Sequence, residues 1–204
     1  MPSLAYIHRF EPGTDPSAPP VLLLHGTGGD ENDLLPLGRQ LCPGAALLSP
    51  RGDVLERGMP RFFARLAEGV FDLAEVERRT HALADFIAAA AAHYHFDQNK
   101  LLAVGFSNGA NIAASLLLLR PEALATAILL RPMVVLKPAA IPALTGKRLL
   151  ISSGLQDPIV PADHPGRLAE MFRRAGAEVT VQFQPGGHAL ASADLAAARD
   201  FIAG

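Results

Sequence analysis

An α/β fold is what this 204-residue sequence predicts: a mainly parallel sheet of about six to seven strands, flanked by helices and without a large cap. Three observations predict it. Short runs of Val, Ile and Leu recur along the chain, each soon followed by Gly or Pro, and most are apolar on both faces, as buried parallel strands are. Helix-patterned stretches separate them, the alternation expected of parallel strands linked by helices. One run leads straight through a glycine-flanked corner into a helix.

In chain order, Tyr6–Phe10 reads as an edge strand and Pro12–Pro20 as a proline-rich surface loop. Val21–Leu24 and Ala45–Leu48 read as buried strands. Arg51–Phe71 is a long excursion that carries Met59, Phe62, Phe63, Leu66, Val70 and Phe71. Asp72–His95 has helical spacing at Leu73, Val76, Leu83, Phe86 and Ile87. Leu101–Val104 is a buried strand, and the helix Asn108–Leu119 follows it directly. Ala125–Leu130 and Arg148–Ile151 are two more buried strands. Val179–Phe183 alternates polar and apolar residues and suits a position near a sheet edge. Pro165–Ala175 and Ala193–Ile202 read as helices, with Gly176 stopping the first. With one core and no internal repeat, residues 1–204 are expected to form a single domain.

The bulk numbers narrow the function. Half the residues are hydrophobic, 19% are charged and the formal net charge is -2, with no basic block, so a nucleic-acid role finds no support. No apolar run approaches the about 20 residues of a membrane helix, and the N-terminus lacks the layout of a secretory signal. The single cysteine, Cys42, cannot form an internal disulfide and fits a reducing compartment. A cytoplasmic protein is expected, with no membrane insertion. A homodimer is left open.

The corner is Gly105-Phe106-Ser107-Asn108-Gly109, a G-x-S-x-G pattern. A strand that turns sharply into a helix crowds the backbone, and glycines two before and two after the corner relieve it. Ser107 then carries an exposed hydroxyl on a strained backbone, and the N–H of Asn108 points toward an anion beside it.

A nucleophilic serine needs a base. Of the seven histidines, His188 follows Pro185-Gly186-Gly187 after the last strand, on a loop free to carry an imidazole over the sheet. His93 and His95 lie at a helix end, His81 in mid-helix and His8 near an edge. His164 precedes a helix, and His25 supports its own loop. The base needs an orienting carboxylate. Asp157 in Gly154-Leu155-Gln156-Asp157-Pro158 follows a strand at its carboxyl end, where ligand loops lie. Its rivals, Asp163 and Asp194, read as helix caps. A second oxyanion donor is expected from the main-chain N–H of Thr27, in Leu24-His25-Gly26-Thr27-Gly28-Gly29. That glycine-rich turn lacks the residues of a phosphate loop. No metal is expected, since there is no H-E-x-x-H and one cysteine makes no thiolate cluster. No cofactor is expected either.

These segments, in this order, resemble the carboxylesterase, phospholipase and acyl-protein thioesterase branch of the α/β-hydrolase superfamily. The likeness covers nearly the whole chain. Arg61-Phe62-Phe63 and Arg131-Pro132-Met133 are most similar to small bacterial carboxylesterases linked to quinone or hydroquinone stress. The resemblance implies an α/β-hydrolase fold, Ser107 as nucleophile, Asp157 and His188 as its partners, and ester substrates. Asn108 stands where many thioesterases of this branch have Gln, which favours the carboxylesterase reading. The dienelactone hydrolases look like a more remote likeness, because they use a cysteine where this chain has Ser107.

The expected function is serine-dependent hydrolysis of small or medium esters with apolar or aryl groups. Phe62, Phe63, Phe106 and Met133 are expected to wall the substrate pocket. Thioesterase or lysophospholipase activity, and a lyase or perhydrolase on the same scaffold, are the nearest alternatives. A binding protein with a vestigial triad is a further one. A ring-cleaving dioxygenase would need two histidines and a carboxylate around iron, and no such set assembles from the sequence.

Overall fold

Residues 4–204 are described by the computed structural model. The chain opens with strand β1 (His8–Glu11) and strand β2 (Val21–Leu24), followed by helix α1 (Leu35–Leu41) and strand β3 (Leu47–Pro50). Two small hairpins come next, β4 (Val54–Glu56) with β5 (Met59–Arg61), and β6 (Arg65–Ala67) with β7 (Val70–Phe71). Then come helix α2 (Leu73–Tyr94), strand β8 (Leu102–Phe106), helix α3 (Asn108–Leu119) and strand β9 (Thr126–Leu130). Strand β10 (Arg148–Gly154), helix α4 (His164–Arg174), strand β11 (Glu178–Gln184) and helix α5 (Ser192–Ala203) complete the chain.

Seven of these strands form one sheet in the order β1-β3-β2-β8-β9-β10-β11. Only β1 is antiparallel, to β3; every other pairing is parallel. The alternation along β2 explains the two-sided core. Leu22 and Leu24 face one layer, shared with buried residues of α2, α3 and α4. Val21 and Leu23 face the other, shared with α1 and α5. Both faces are covered, so the central strands are apolar on both sides over most of their length. At the edge, β11 is half-buried or exposed at every position but Gln184, in keeping with its mixture of polar and apolar residues.

No helix among the described residues is long and apolar enough to cross a membrane. The segment 131–147 contains no helix or strand, so no cap is built there. The excursion after β3 is folded into the two hairpins rather than left irregular. Its first turn, Arg57-Gly58, has both residues in the left-handed region, at φ 52° and 81°. That pairing gives a two-residue hairpin the twist of its strands.

Candidate active site

The parallel sheet delivers four chain segments to one end. Loops leave the carboxyl ends of β2, β8, β10 and β11, and Thr27, Ser107, Asp157 and His188 lie on them in that order.

Ser107 sits between β8 and α3 at φ 52° and ψ −112°. Only a surrounding structure that over-determines this conformation holds it there, against a strain of about 1–3 kcal/mol. The Ser107 N–H donates to the Leu130 carbonyl at 2.8 Å, tying the corner to the end of β9. The flanking glycines are needed for two different reasons. A Cβ on Gly105 would lie 2.6 Å from the Gly109 carbonyl oxygen, a clash across the corner. A Cβ on Gly109 would lie 1.9 Å from the Leu24 carbonyl oxygen, a clash with the neighbouring strand.

His188 lies beside it. The Ser107 hydroxyl donates to His188 Nε2 at 2.8 Å, and His188 Nδ1–H donates to Asp157 Oδ2 at 2.8 Å. A carboxylate can only accept, so these partners fix the neutral ring as the Nδ1–H form. Asp157 Oδ1 accepts the N–H groups of Ile159 and Val160, at 2.8 and 3.1 Å. Burial acts to raise the Asp157 pKa. The Ile159 N–H, His188 and the Val160 N–H together outweigh it, so the carboxyl is held below its ordinary range. Its side chain is 2% exposed, whereas that of His188 is 19% exposed and open to the cleft.

The rival groups lie elsewhere. Asp163 is exposed and pairs with Arg167. His164 begins α4, and its Nδ1 accepts the Val134 N–H. His25 Nε2 accepts the Gly52 N–H, and His25 Nδ1 lies 2.7 Å from the Gly26 carbonyl, so it supports its own loop. His81, His93 and His95 are exposed. His8 is half-buried against Tyr94.

Two main-chain donors flank the serine. Asn108 is the first residue of α3, and its N–H lies outside the helix's own hydrogen-bond ladder. In the turn after β2, the N–H groups of Gly28 and Gly29 are taken by Pro60 and Gly26. Among the described residues no backbone acceptor takes the N–H of Thr27. The Asn108 side chain is engaged separately from its N–H. Its Oδ1 accepts the Phe62 N–H at 2.7 Å, anchoring the hairpin segment to the start of α3.

A cleft of about 280 Å3 opens over Ser107. Phe106, Met133, Thr27 and Asn108 line it together with Ser107 and His188. Phe62 and Phe63 do not, contrary to the sequence expectation. They are 1% and 0% exposed, packing against His25 and Phe71 respectively. Burying a phenylalanine side chain stabilises by about 1.5–3 kcal/mol, and two adjacent rings found that burial under the hairpins. Phe71 and Ile159 take their place in the wall, and Arg61, Arg65 and Glu68 make it partly polar. Arg61 is buried, and its guanidinium donates to Thr27 Oγ1 and the Phe63 carbonyl. Among the described residues no group of three or more His, Cys, Asp or Glu could hold a metal ion.

With this geometry in view, the likenesses to known proteins are informative. The sequence pattern of the dienelactone hydrolase family matches residues 12–200. MhqD of Bacillus subtilis (strain 168), a protein named as a hydrolase, is 46% identical over 194 residues, spanning 95% of this chain and 96% of that one. The crystal structure of a Bacillus cereus carboxylesterase superposes with a TM-score of 0.95 at 44% identity, over 98% of this chain and 94% of that one. A carboxylesterase from Mesorhizobium loti superposes with a TM-score of 0.89 at 34% identity, over 94% and 90% of the two chains. The fold is thus that of the α/β hydrolases, with the seven-stranded sheet and, among the described residues, no large cap. The dienelactone hydrolases, the more remote likeness on the sequence motifs, are the family whose pattern matches. The corner's demands fall on Gly105, Gly109 and the backbone, which a serine and a cysteine at position 107 meet alike.

Proposed function

The chain belongs to the dienelactone hydrolase family, and on that premise we propose that it is a serine carboxylesterase cleaving small or medium esters through an acyl-enzyme. The observation that carries the reading is the unbroken hydrogen-bond chain Asp157–His188–Ser107, with both links at 2.8 Å.

In this mechanism His188 Nε2 takes the hydroxyl proton as Ser107 Oγ attacks the ester carbonyl carbon. Asp157 stabilises the imidazolium so formed and holds the ring in its productive tautomer. The N–H groups of Thr27 and Asn108 receive the oxyanion, each donor contributing about 2.7–4 kcal/mol to transition-state stabilisation. The imidazolium Nε2–H then protonates the leaving oxygen as the C–O bond breaks. Water follows the same route in reverse: His188 deprotonates it, it attacks the acyl carbon, and Ser107 leaves with its proton restored. No metal or cofactor enters any step.

The substrate is taken from solution. The cleft is open, with Leu66 and Val70 of the adjoining hairpin 71% and 51% exposed, and among the described residues the one helix lining it is α3, which begins at Asn108. Phe71, Phe106, Met133 and Ile159 provide the apolar part of the wall, suited to short acyl chains and aryl leaving groups. Dissolved p-nitrophenyl acetate and butyrate are therefore expected to be turned over with saturation kinetics. Longer esters are expected to show no acceleration on passing into micelles. A jump in rate at the micellar threshold, with little turnover of the dissolved short esters, would refute this substrate class.

A further inference from the structure

Arg131 follows β9 directly, in the left-handed backbone region at φ 58°. Its side chain is 0% exposed, as is that of Asp194, with which it forms an ion pair. A guanidinium has five N–H donors, and here all five are used. Nη1 donates to Asp194 Oδ1 at 2.7 Å and to the Ser152 carbonyl at 3.3 Å. Nη2 donates to Asp194 Oδ2 at 2.9 Å and to the Ala189 carbonyl at 3.2 Å. Nε donates to the Gly187 carbonyl at 3.0 Å.

Two of those acceptors, the carbonyls of Gly187 and Ala189, stand immediately on either side of His188. Asp194 is itself held at the start of α5. It accepts the Ser152 hydroxyl at 2.6 Å and the Ala191 N–H at 2.9 Å. Burial acts to raise the Asp194 pKa, but the bonds from Arg131, Ser152 and Ala191 outweigh it and keep the carboxyl below its ordinary range. On the other side, the residue before Arg131 gives its carbonyl to the Ser107 N–H, and the Arg131 N–H donates to the Ser152 carbonyl. One dipeptide, Leu130-Arg131, thus touches the serine corner through its backbone and the histidine loop through its side chain.

We propose that Arg131, braced by Asp194, is a positioning residue: it clamps the carbonyls flanking His188 and so sets the imidazole between Asp157 and Ser107. The loop needs such a clamp. It carries Gly186 and Gly187, with Gly186 at φ 113°, and such a segment has wide backbone freedom. Stability alone does not account for the arrangement. A buried ion pair is often no better for stability than apolar residues of the same volume. A displacement of the ring by about 1 Å, by contrast, can lower turnover about 10²-fold.

The proposal rests on the triad reading above, and one experiment separates the two. Wild type, Arg131→Lys and Asp194→Asn are compared by thermal unfolding, by steady-state hydrolysis of p-nitrophenyl butyrate, and by the rate of phosphonylation with a fluorophosphonate. Lysine keeps a charge opposite Asp194, but its donors radiate from one nitrogen and cannot also span both carbonyls. Folded Arg131→Lys is expected to lose roughly 30- to 300-fold in kcat with KM changed less than about threefold. Its phosphonylation rate should fall in step with kcat. Asp194→Asn is expected to show the same pattern with a smaller loss. Wild type that neither hydrolyses nor labels overturns the triad reading. Active wild type with a folded Arg131→Lys of near-normal kcat overturns the role of Arg131 alone. If Arg131→Lys fails to fold, Asp194→Asn decides by the same criterion. Unfolding of both variants also overturns the proposal, since the cluster then holds the fold and not the histidine.

Discussion

Ser107→Ala is expected to lose on the order of 10⁴- to 10⁶-fold in kcat for ester hydrolysis, as removal of a nucleophile does in a comparable triad. The loss follows from position. The Ser107 hydroxyl is bonded to His188 Nε2 and faces the cleft. The other hydroxyl lining the cleft, that of Thr27, accepts from Arg61 and has no bond to His188. The fold should survive, because alanine keeps the Cβ and the backbone bond from residue 107 to Leu130. The left-handed strain is the same for both side chains. Thermal unfolding within a few degrees of wild type, beside activity at background, is the expected pair of results. Retention of more than about a tenth of wild-type turnover would remove Ser107 from the mechanism.

The second large effect is expected at Asp157. Asp157→Asn should lower kcat by about 10³- to 10⁴-fold, while Asp163→Asn should stay within about twofold, as a surface change does. The reason lies in both carboxylate oxygens. Oδ1 accepts two backbone N–H groups, from Ile159 and Val160. An asparagine would keep its carbonyl oxygen there and turn its NH2 toward His188. The imidazole would then accept at Nδ1 and carry its proton on Nε2, the tautomer that cannot take a proton from Ser107. The charge that steadies the imidazolium would be lost as well. Asp163 is exposed, directly before α4, and its side chain is bonded to Arg167. If Asp163→Asn proved the crippling change, the acid would have been placed on the wrong loop.

What is legible in the sequence is what depends on local requirements. Val21–Leu24 is apolar at every position because both faces of the sheet are covered, and the observed strand has those same ends. The serine corner is legible because its two glycines answer clashes fixed by a strand turning into a helix. Helix α1 is not. Pro36 and Gly38 fall within its seven residues and weaken the helical signal, and burial of Leu35 and Leu41 stabilises it instead. The two hairpins look like one excursion in the sequence. Pro60 within β5 argues against a strand, and it is tolerated because that two-stranded ribbon is all edge.

In the site, the order Ser107, Asp157, His188 is legible, whereas the facing of Phe62 and Phe63 is not. Two adjacent aromatics after an arginine carry no periodicity, and whether either meets the cleft depends on how the segment between the hairpins is held, here by the bond from the Phe62 N–H to Asn108. The Arg131 cluster lies beyond local reading for another reason. Asp194 does accept an N–H at the start of α5, as a cap would. Its bond to an arginine 63 residues away leaves no spacing pattern in the sequence. The signals present are an arginine directly after a buried strand and an acid near a helix start, and each is ordinary alone.

The most direct test of the central claim, that Ser107 is a nucleophile activated by His188, is covalent labelling of the folded protein. Native protein treated with a fluorophosphonate is digested, and the adduct is located by peptide mass spectrometry. The account predicts one adduct per chain, on the peptide containing Ser107, absent when the protein is unfolded in acid before labelling. An adduct on another residue, or full ester hydrolysis with no adduct at all, would contradict it.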